Sequence, residues 1–181
     1  MNTNDYNCNA ECSDLYEPPH IPPVGNLASN TAGTGARFNA NKTDYSLVPI
    51  KAMGETLMRR SPESPIAKAV FLLGCYQTSR GVELLYAALD ELGLEGWEEC
   101  ARVFTYGKNK YAAWNWAKGM AWSVPLACAV RHLIDMLDGV VLDPESALPH
   151  RGHVFCNISM LITYSVTYQD GDDFAPGGRL A

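Results

Sequence analysis

Residues 123–138, SVPLACAVRHLIDMLD, and residues 149–168, PHRGHVFCNISMLITYSVTY, decide the fold class of this 181-residue chain. In both stretches the apolar side chains recur at the spacing of one helical face. These positions are Leu126, Ala129, Val130, Leu133, Ile134 and Leu137 in the first stretch, and Val154, Ile158, Leu161 and Ile162 in the second. Two such helices joined by the loop 139–148 are expected to pack antiparallel.

Cap and stop residues predict three more helices upstream. Ser64 followed by Pro65 is typical of a helix start, because a serine caps the first turn and a proline fits its first position. Glycines are expected to end the later helices at Gly93, Gly107 and Gly139, and Ser123 is the expected cap of the fourth. The predicted spans are 66–77, 81–92, 97–106, 123–138 and 149–168.

No stretch shows a clear strand-like alternation, apart from short pieces near 45–48. We therefore predict an all-α helical bundle, in which residues 35–181 form a single helical domain. Residues 35–49 are expected to be extended. Residues 1–34 are rich in Asn, Pro, Ser, Thr and Gly and hold few apolar side chains, so we predict a flexible, mostly irregular N-terminal arm.

Composition excludes several classes of protein. The net charge of -6, with 14 basic and 20 acidic residues, argues against a partner that is a nucleic acid polymer. No apolar run approaches the roughly 18 residues that span a bilayer, and the first residues do not resemble a secretory signal.

Four cysteines lie in apolar helical patterns and are expected to be buried free thiols in a reducing cytoplasm: Cys75, Cys100, Cys128 and Cys156. Cys8, Cys12 and His20 could form part of a zinc site, but a fourth ligand is missing.

Polar residues cluster around the last predicted helix pair. His150, His153 and Asn157 follow an i, i+3, i+7 pattern, which places them on one helical stripe. The preceding helix carries Arg131, His132 and Asp135, and the loop between the helices carries Asp138, Asp143 and Glu145. Imidazole and carboxylate groups together suit a divalent metal site or an acid/base pair. The alternative for any single member is a hydrogen-bonded core histidine or a turn-capping acid.

A second candidate feature is the run GKNKYAAWNWAKG at 107–119. Lys108 and Lys110 could neutralise phosphate, while Trp114 and Trp116 could stack on a base. The alternative is that the lysines are solvated charges at a helix end and that the tryptophans belong to the core.

A third feature is the acidic stretch around Glu95 and Glu98, whose ExxE spacing can place two carboxylates on one face for Mg²⁺. The alternative here is a solvated helix start, where acidic side chains are favoured by the helix dipole.

Three strings, in this order, resemble the phage dATP/dGTP diphosphohydrolase family. They are GARFNANKTDYSLVP (35–49), ECARVFTYGKNKYAAWNWAKGM (99–120) and AVRHLIDMLDGVVLDPESALPHRGHVFCNISMLITY (129–164). The resemblance implies hydrolysis of a purine deoxynucleoside triphosphate, dGTP or dATP, to the monophosphate and pyrophosphate. It also implies kinship with MazG-like all-α pyrophosphohydrolases, which depend on Mg²⁺ (or Mn²⁺) and assemble as homo-oligomers. A phage protein of this kind would act in the host cytoplasm.

The MazG-like pattern pairs an EExxE helix with an ExxD helix, whereas this chain carries His150 and His153 where the second pair is expected. The metal ligands are therefore left open among Glu99, Asp143, Glu145 and His150. The candidate catalytic residues are Glu145, His153 and His132. The candidate substrate-binding residues are Lys42, Tyr45, Lys108, Lys110, Tyr111, Asn115, Trp116, Arg131 and Asn157.

The same residues bear on two other functions. The absence of the EExxE signature leaves a non-catalytic nucleotide-binding or regulatory phage protein as the alternative function. A histidine-aspartate phosphohydrolase would require an adjacent His-Asp dipeptide, and the chain has none.

Overall fold

Six α-helices and no β-strand are found in residues 25–39 and 42–174, the part of the chain that the computed structural model describes. The helices are α1 (Ile50–Arg60), α2 (Pro65–Ser79), α3 (Val82–Leu92), α4 (Gly96–Lys110), α5 (Ser123–Leu137) and α6 (His150–Thr167). Short 3₁₀ turns occur at Tyr45–Leu47, Asn115–Lys118 and Gln169–Gly171. The all-α prediction is confirmed. Within these residues no helix is long and apolar enough to cross a membrane.

Helix α6 lies at the centre of the bundle and packs against α3, α4 and α5, while α2 packs against α1, α3 and α5. The side chains of α6 are buried on almost every face, as expected of a central helix. Helices α5 and α6 run in opposite directions: His132 meets His150 at one end, and the indole of Trp122 donates to the Tyr168 carbonyl oxygen (2.9 Å) at the other.

Helix α1 has no counterpart among the predicted helices. Its cap residue, Pro49, offers no side-chain hydrogen bond to the first turn, so the usual start signal is missing. The helix is held instead by close packing on α2. A Cβ atom on Gly54 would lie 2.4 Å from the Cα of Phe71, and one on Gly74 would lie 2.2 Å from the backbone nitrogen of Lys51. Glycine at both positions lets the two backbones approach.

Three local predictions are wrong. Helix α4 does not stop at Gly107 but continues to Lys110, because no neighbouring atom and no positive φ forces a break at that glycine. The extended pieces expected near 45–48 are a 3₁₀ turn capped by the Asp44 side chain. Ser123 is the first residue of α5 rather than its cap.

The first turn of α5 is capped from a distance. The carboxylate of Asp173 accepts hydrogen bonds from the Ser123 backbone nitrogen (2.8 Å) and hydroxyl (2.5 Å), 50 residues earlier in the chain. By contrast, the hydroxyl of Ser64 caps α2 as predicted, and Pro65 takes its first position.

Residues 25–39 lie against the body of the protein. The backbone nitrogen of Gly33 donates to Lys118 O (2.7 Å) and that of Gly35 donates to Gly119 O (2.8 Å). These bonds continue across the predicted boundary between residues 34 and 35. Residues 1–24 of the predicted arm, together with Cys8, Cys12 and His20, lie outside the described residues.

Candidate functional site

A cavity of about 670 Å³ opens between the segment around residue 37, α4, the 3₁₀ turn at Asn115–Lys118, α5 and α6. That volume is within the ordinary range for sites that bind small molecules. One part of its wall is aromatic, formed by Phe38, Phe104, Tyr106, Tyr111, Trp114 and Trp116. Another part is polar, formed by Arg131, His132, Asp143, Glu145 and His153.

The aromatic wall is assembled from two distant parts of the chain. The ring of Phe38 stacks on that of Tyr111 with centroids 5.6 Å apart, and the Tyr111 hydroxyl accepts from the Phe38 backbone nitrogen (3.3 Å). Behind them, the rings of Phe104 and Trp116 lie 5.3 Å apart. Trp114 is exposed at the rim and adopts a positive φ of 61°.

Glu145 joins two lysines across the mouth of the cavity. Its carboxylate binds Lys42 Nζ at 2.7 Å and also Lys110 Nζ. Burial alone would raise the pKa of the Glu145 carboxyl, but the two ammonium groups outweigh burial and lower it to about 2. Glu145 is therefore a carboxylate at neutral pH and only a weak base.

Three histidines of the helix pair lie together, as the sequence predicted. The Nδ1 atoms of His132 and His150 are 2.8 Å apart, and the rings of His132 and His153 stack with centroids 4.5 Å apart. Burial, followed by the nearby His153 and Arg131, lowers the pKa of His132 below its usual range. Burial also lowers the pKa of His153, to about 4, although Asp143 opposes this shift. Both rings are uncharged at neutral pH.

The loop before α6 aims Asp143 and Ser146 at His153. The Ser146 hydroxyl lies 2.8 Å from His153 Nε2 and 2.9 Å from Asp143 Oδ2, to which it donates. Burial raises the pKa of Asp143, but hydrogen bonds from the Ser146 backbone and hydroxyl outweigh it and leave the pKa lowered. The result is a short chain of carboxylate, hydroxyl and imidazole facing the cavity.

His132, Asp143 and His150 can together hold a metal ion, because one ligand atom from each lies within 4.8 Å of the others. His150 is buried, and its Nε2 atom has no hydrogen-bond partner among the described residues. Two imidazoles and one carboxylate suit divalent transition metals, including Mn²⁺, better than they suit Mg²⁺, which prefers oxygen ligands. The residues therefore fit a divalent metal.

The acidic stretch at the start of α4 lies outside the cavity. The carboxylate of Glu99 is bound by the guanidinium of Arg151 through two hydrogen bonds of 2.9 and 2.7 Å. Glu95 lies 3.6 Å from the same arginine, and Glu98 pairs with Arg102 one helical turn along. None of these carboxylates lines the cavity.

The structure brings together most of the residues that the sequence singled out. Those that line the cavity are Lys42, Lys108, Lys110, Tyr111, Asn115, Trp116, Arg131, His132, Asp143, Glu145 and His153. Tyr45, Glu99, His150 and Asn157 do not line it. Asn157 is buried behind the wall, where its amide donates to the His153 carbonyl oxygen (2.7 Å).

Sequence reasoning missed Arg37, which lines the cavity and donates to the Asn157 side chain (2.8 Å), 120 residues away. It also missed Ser146. Both positions lie within the strings that carried the family resemblance. A single arginine in an irregular segment has no periodicity to mark it, and Asp-Pro-Glu-Ser also fits an ordinary turn.

Fold and site together define an all-α protein with a small-molecule cavity, in which histidines and carboxylates face aromatic side chains. The sequence model described as "dATP/dGTP diphosphohydrolase, N-terminal" matches residues 86–174. That segment, which contains α4, α5 and α6, is similar to this family. No curated protein and no solved structure showed significant similarity to the chain.

Proposed function

We propose that the protein hydrolyses a purine deoxynucleoside triphosphate, dGTP or dATP, to the monophosphate and pyrophosphate. The observation that carries this proposal is the overlap between the family match and the cavity. Residues 86–174 include nearly every element of the cavity wall, apart from the segment around residue 37 and Lys42. The name of the family supplies the reaction, and the cavity supplies a place for a ligand of nucleotide size.

The two kinds of wall suggest how the substrate lies. Aromatic side chains such as Phe38, Tyr111 and Trp116 offer flat faces on which a base can stack. Cations and carboxylates lie at the polar wall, where the phosphates and the attacking water would be placed. Water then breaks the anhydride between the α- and β-phosphates, so that pyrophosphate leaves and the monophosphate remains.

His153 is the best candidate to accept the proton of the attacking water. Its lowered pKa keeps the imidazole unprotonated at neutral pH, so a free nitrogen lone pair is available. Asp143 and Ser146 orient the ring through the contacts at Nε2. Glu145, whose pKa is about 2, would position Lys42 and Lys110 rather than take the proton.

A divalent metal would be held by His132, Asp143 and His150, the group whose ligand atoms lie close together. When bound, such a metal neutralises phosphate charge and makes a coordinated water more acidic. The donor set favours Mn²⁺, and Mg²⁺ would depend more on oxygen atoms such as those of Asp143 and the substrate. Glu99 is left out of this shell because it is already paired with Arg151.

Product analysis tests the proposal. Purified protein is incubated with dGTP, dATP, dCTP or GTP, each with Mg²⁺, with Mn²⁺ or with a chelator, and the products are separated. We expect monophosphate and pyrophosphate from a purine deoxynucleotide, and only when metal is present. Release of orthophosphate alone, or no turnover of any nucleotide, would refute it. Tight binding without turnover would instead support the non-catalytic alternative.

A further inference from the structure

The charge lining the cavity has the opposite sign to the charge of the whole protein. Five cationic residues line it, namely Arg37, Lys42, Lys108, Lys110 and Arg131. Only two carboxylates, Asp143 and Glu145, line it as well. The complete chain has a net charge of -6. A local excess of positive charge in a concave site attracts anions.

The lysines are not the cations best placed to bind an anion. Lys42 and Lys110 both bind the carboxylate of Glu145, so a ligand would have to compete with a bonded carboxylate for their ammonium groups. Lys108 is exposed near the end of α4, where water solvates its charge. Their contribution to anion binding is therefore reduced.

The two arginines are in a different position. Neither Arg37 nor Arg131 forms an ion pair with a carboxylate among the described residues. Both instead flank the buried thiol of Cys128: Arg131 donates to its Sγ atom at 3.4 Å, and Arg37 also interacts with it. A thiol is a weak acceptor, so most of the ten N–H donors on the two guanidinium groups have no oxygen partner among the described residues.

We propose that Arg37 and Arg131 form a subsite that binds the phosphate chain of the ligand. The proposal rests on the proposed function for the identity of that ligand as a nucleotide. The two guanidinium groups come from distant parts of the chain, since Arg37 precedes α1 and Arg131 lies on α5. They meet beside Cys128, at the wall that also carries His132.

Arginine suits this role because its planar fork can bind two phosphate oxygens at once. Asn157 fixes the fork of Arg37 through a bond of 2.8 Å to its NH2 atom, which leaves the other donors of that group for a ligand. Such prior positioning lowers the entropy lost on binding. The lysines on Glu145 then serve mainly to close the mouth of the cavity.

Calorimetry with sodium tripolyphosphate, in the presence of a chelator, tests the subsite without catalysis. The variants are Arg37→Met, Arg37→Lys and Arg131→Met. Arg102→Met is the matched control, because this exposed arginine on α4 is paired with Glu98 and lies outside the cavity. We expect Arg37→Met and Arg131→Met each to weaken binding at least about tenfold, and Arg102→Met to leave it unchanged. Arg37→Lys should lose less than Arg37→Met, since charge without the fork is retained.

Each outcome decides the matter. Unchanged affinity in folded Arg37→Met and Arg131→Met, or no binding of tripolyphosphate to the wild-type protein, overturns the subsite. If Arg37→Met fails to fold, Arg131→Met decides alone, since the only side-chain hydrogen bond of Arg131 among the described residues is to a thiol. Deoxyguanosine, which has no phosphate, should bind all variants equally. Failure of the proposed function is seen separately, as bound dGTP that no metal causes to be hydrolysed.

Discussion

The side chain of Asn115 pairs with the backbone of Ala36 in both directions. Its Oδ1 atom accepts from the Ala36 nitrogen at 3.1 Å, and its Nδ2 atom donates to the Ala36 carbonyl oxygen at 2.9 Å. Both residues are buried, and they are separated by 79 positions in the chain. The amide thus holds the segment that carries Arg37 and Phe38 against the 3₁₀ turn at Asn115–Lys118.

We expect Asn115→Ala to destabilise the protein by about 1–3 kcal/mol, because it leaves two buried backbone groups without partners. Denaturant unfolding measures the change. Asn109→Ala is the control, since this exposed asparagine on α4 should change stability by no more than about 0.5 kcal/mol. Equal stability of the two variants would show that the pairing with Ala36 contributes nothing.

Glu145→Ala and His153→Ala should each slow hydrolysis at least about tenfold, or about 1.4 kcal/mol of barrier. The first variant releases Lys42 and Lys110, and the second removes the candidate base. Steady-state rates measure the effect, with Glu98→Ala as an exposed control on α4. Normal rates would remove both residues from the site, whereas a sharp fall in melting temperature would indicate a structural role.

His150→Ala should weaken the binding of Mn²⁺ by at least about tenfold, because it removes one of three candidate ligands. Calorimetry without nucleotide measures this directly. Glu99→Gln is the matched comparison: it changes a carboxylate that Arg151 already binds, so metal affinity should stay the same. The reverse result, loss in Glu99→Gln alone, would move the metal to α4.

Gly54→Ala should cost about 1–3 kcal/mol, because its Cβ atom would lie 2.4 Å from the Cα of Phe71 and force α1 away from α2. Gly107→Ala provides a control of opposite sign. Among the described residues, no atom outside the local backbone of α4 lies within 4 Å of a Cβ at this position, so the change should stabilise the protein by about 0.5–1 kcal/mol. Thermal or denaturant unfolding would detect both. Equal effects would contradict the close packing of α1 on α2.

We expect a homo-oligomer in solution. Val140, Val141 and Leu142 form an apolar run on the loop before α6 and are exposed by 45, 71 and 49%. Such a run is typical of a surface that another chain covers. Light scattering should give a multiple of 19.8 kDa, and Val141→Glu should shift the mass toward that of one chain. A wild-type mass near 19.8 kDa would contradict the expectation.

Local signals explain which parts of the fold could be predicted. Ser64 and Pro65 are adjacent in the sequence and together mark the start of α2. Gly93 adopts the positive φ that ends α3. Helix α1 has no such signal, since it depends on contact between Gly54 and α2. The start of α5 could not be assigned correctly for a similar reason, because its cap comes from the distant Asp173.

The residues of the site also fall into those that local sequence could predict and those that depend on tertiary contacts. His132, His150 and His153 could be brought together from sequence, because helical spacing and a short loop fix their relative positions. Arg37 could not, because its contact with Asn157 spans 120 residues and no repeat connects them. The partners of Glu145 could not be predicted either. Lys42 and Lys110 were candidate substrate-binding residues, but their pairing with this carboxylate depends on tertiary structure.

The cap that Asp173 places on α5 has a consequence for synthesis of the chain. While residues 123–137 emerge from the ribosome, Asp173, the acceptor for the Ser123 backbone nitrogen, has not yet left the exit tunnel. The first turn of α5 therefore lacks this cap until another 50 residues have followed, and the indole of Trp122 lacks its acceptor, the carbonyl oxygen of Tyr168, for nearly as long. The helix pair that carries the histidines is thus closed late, from its far end, as the last described residues leave the exit tunnel.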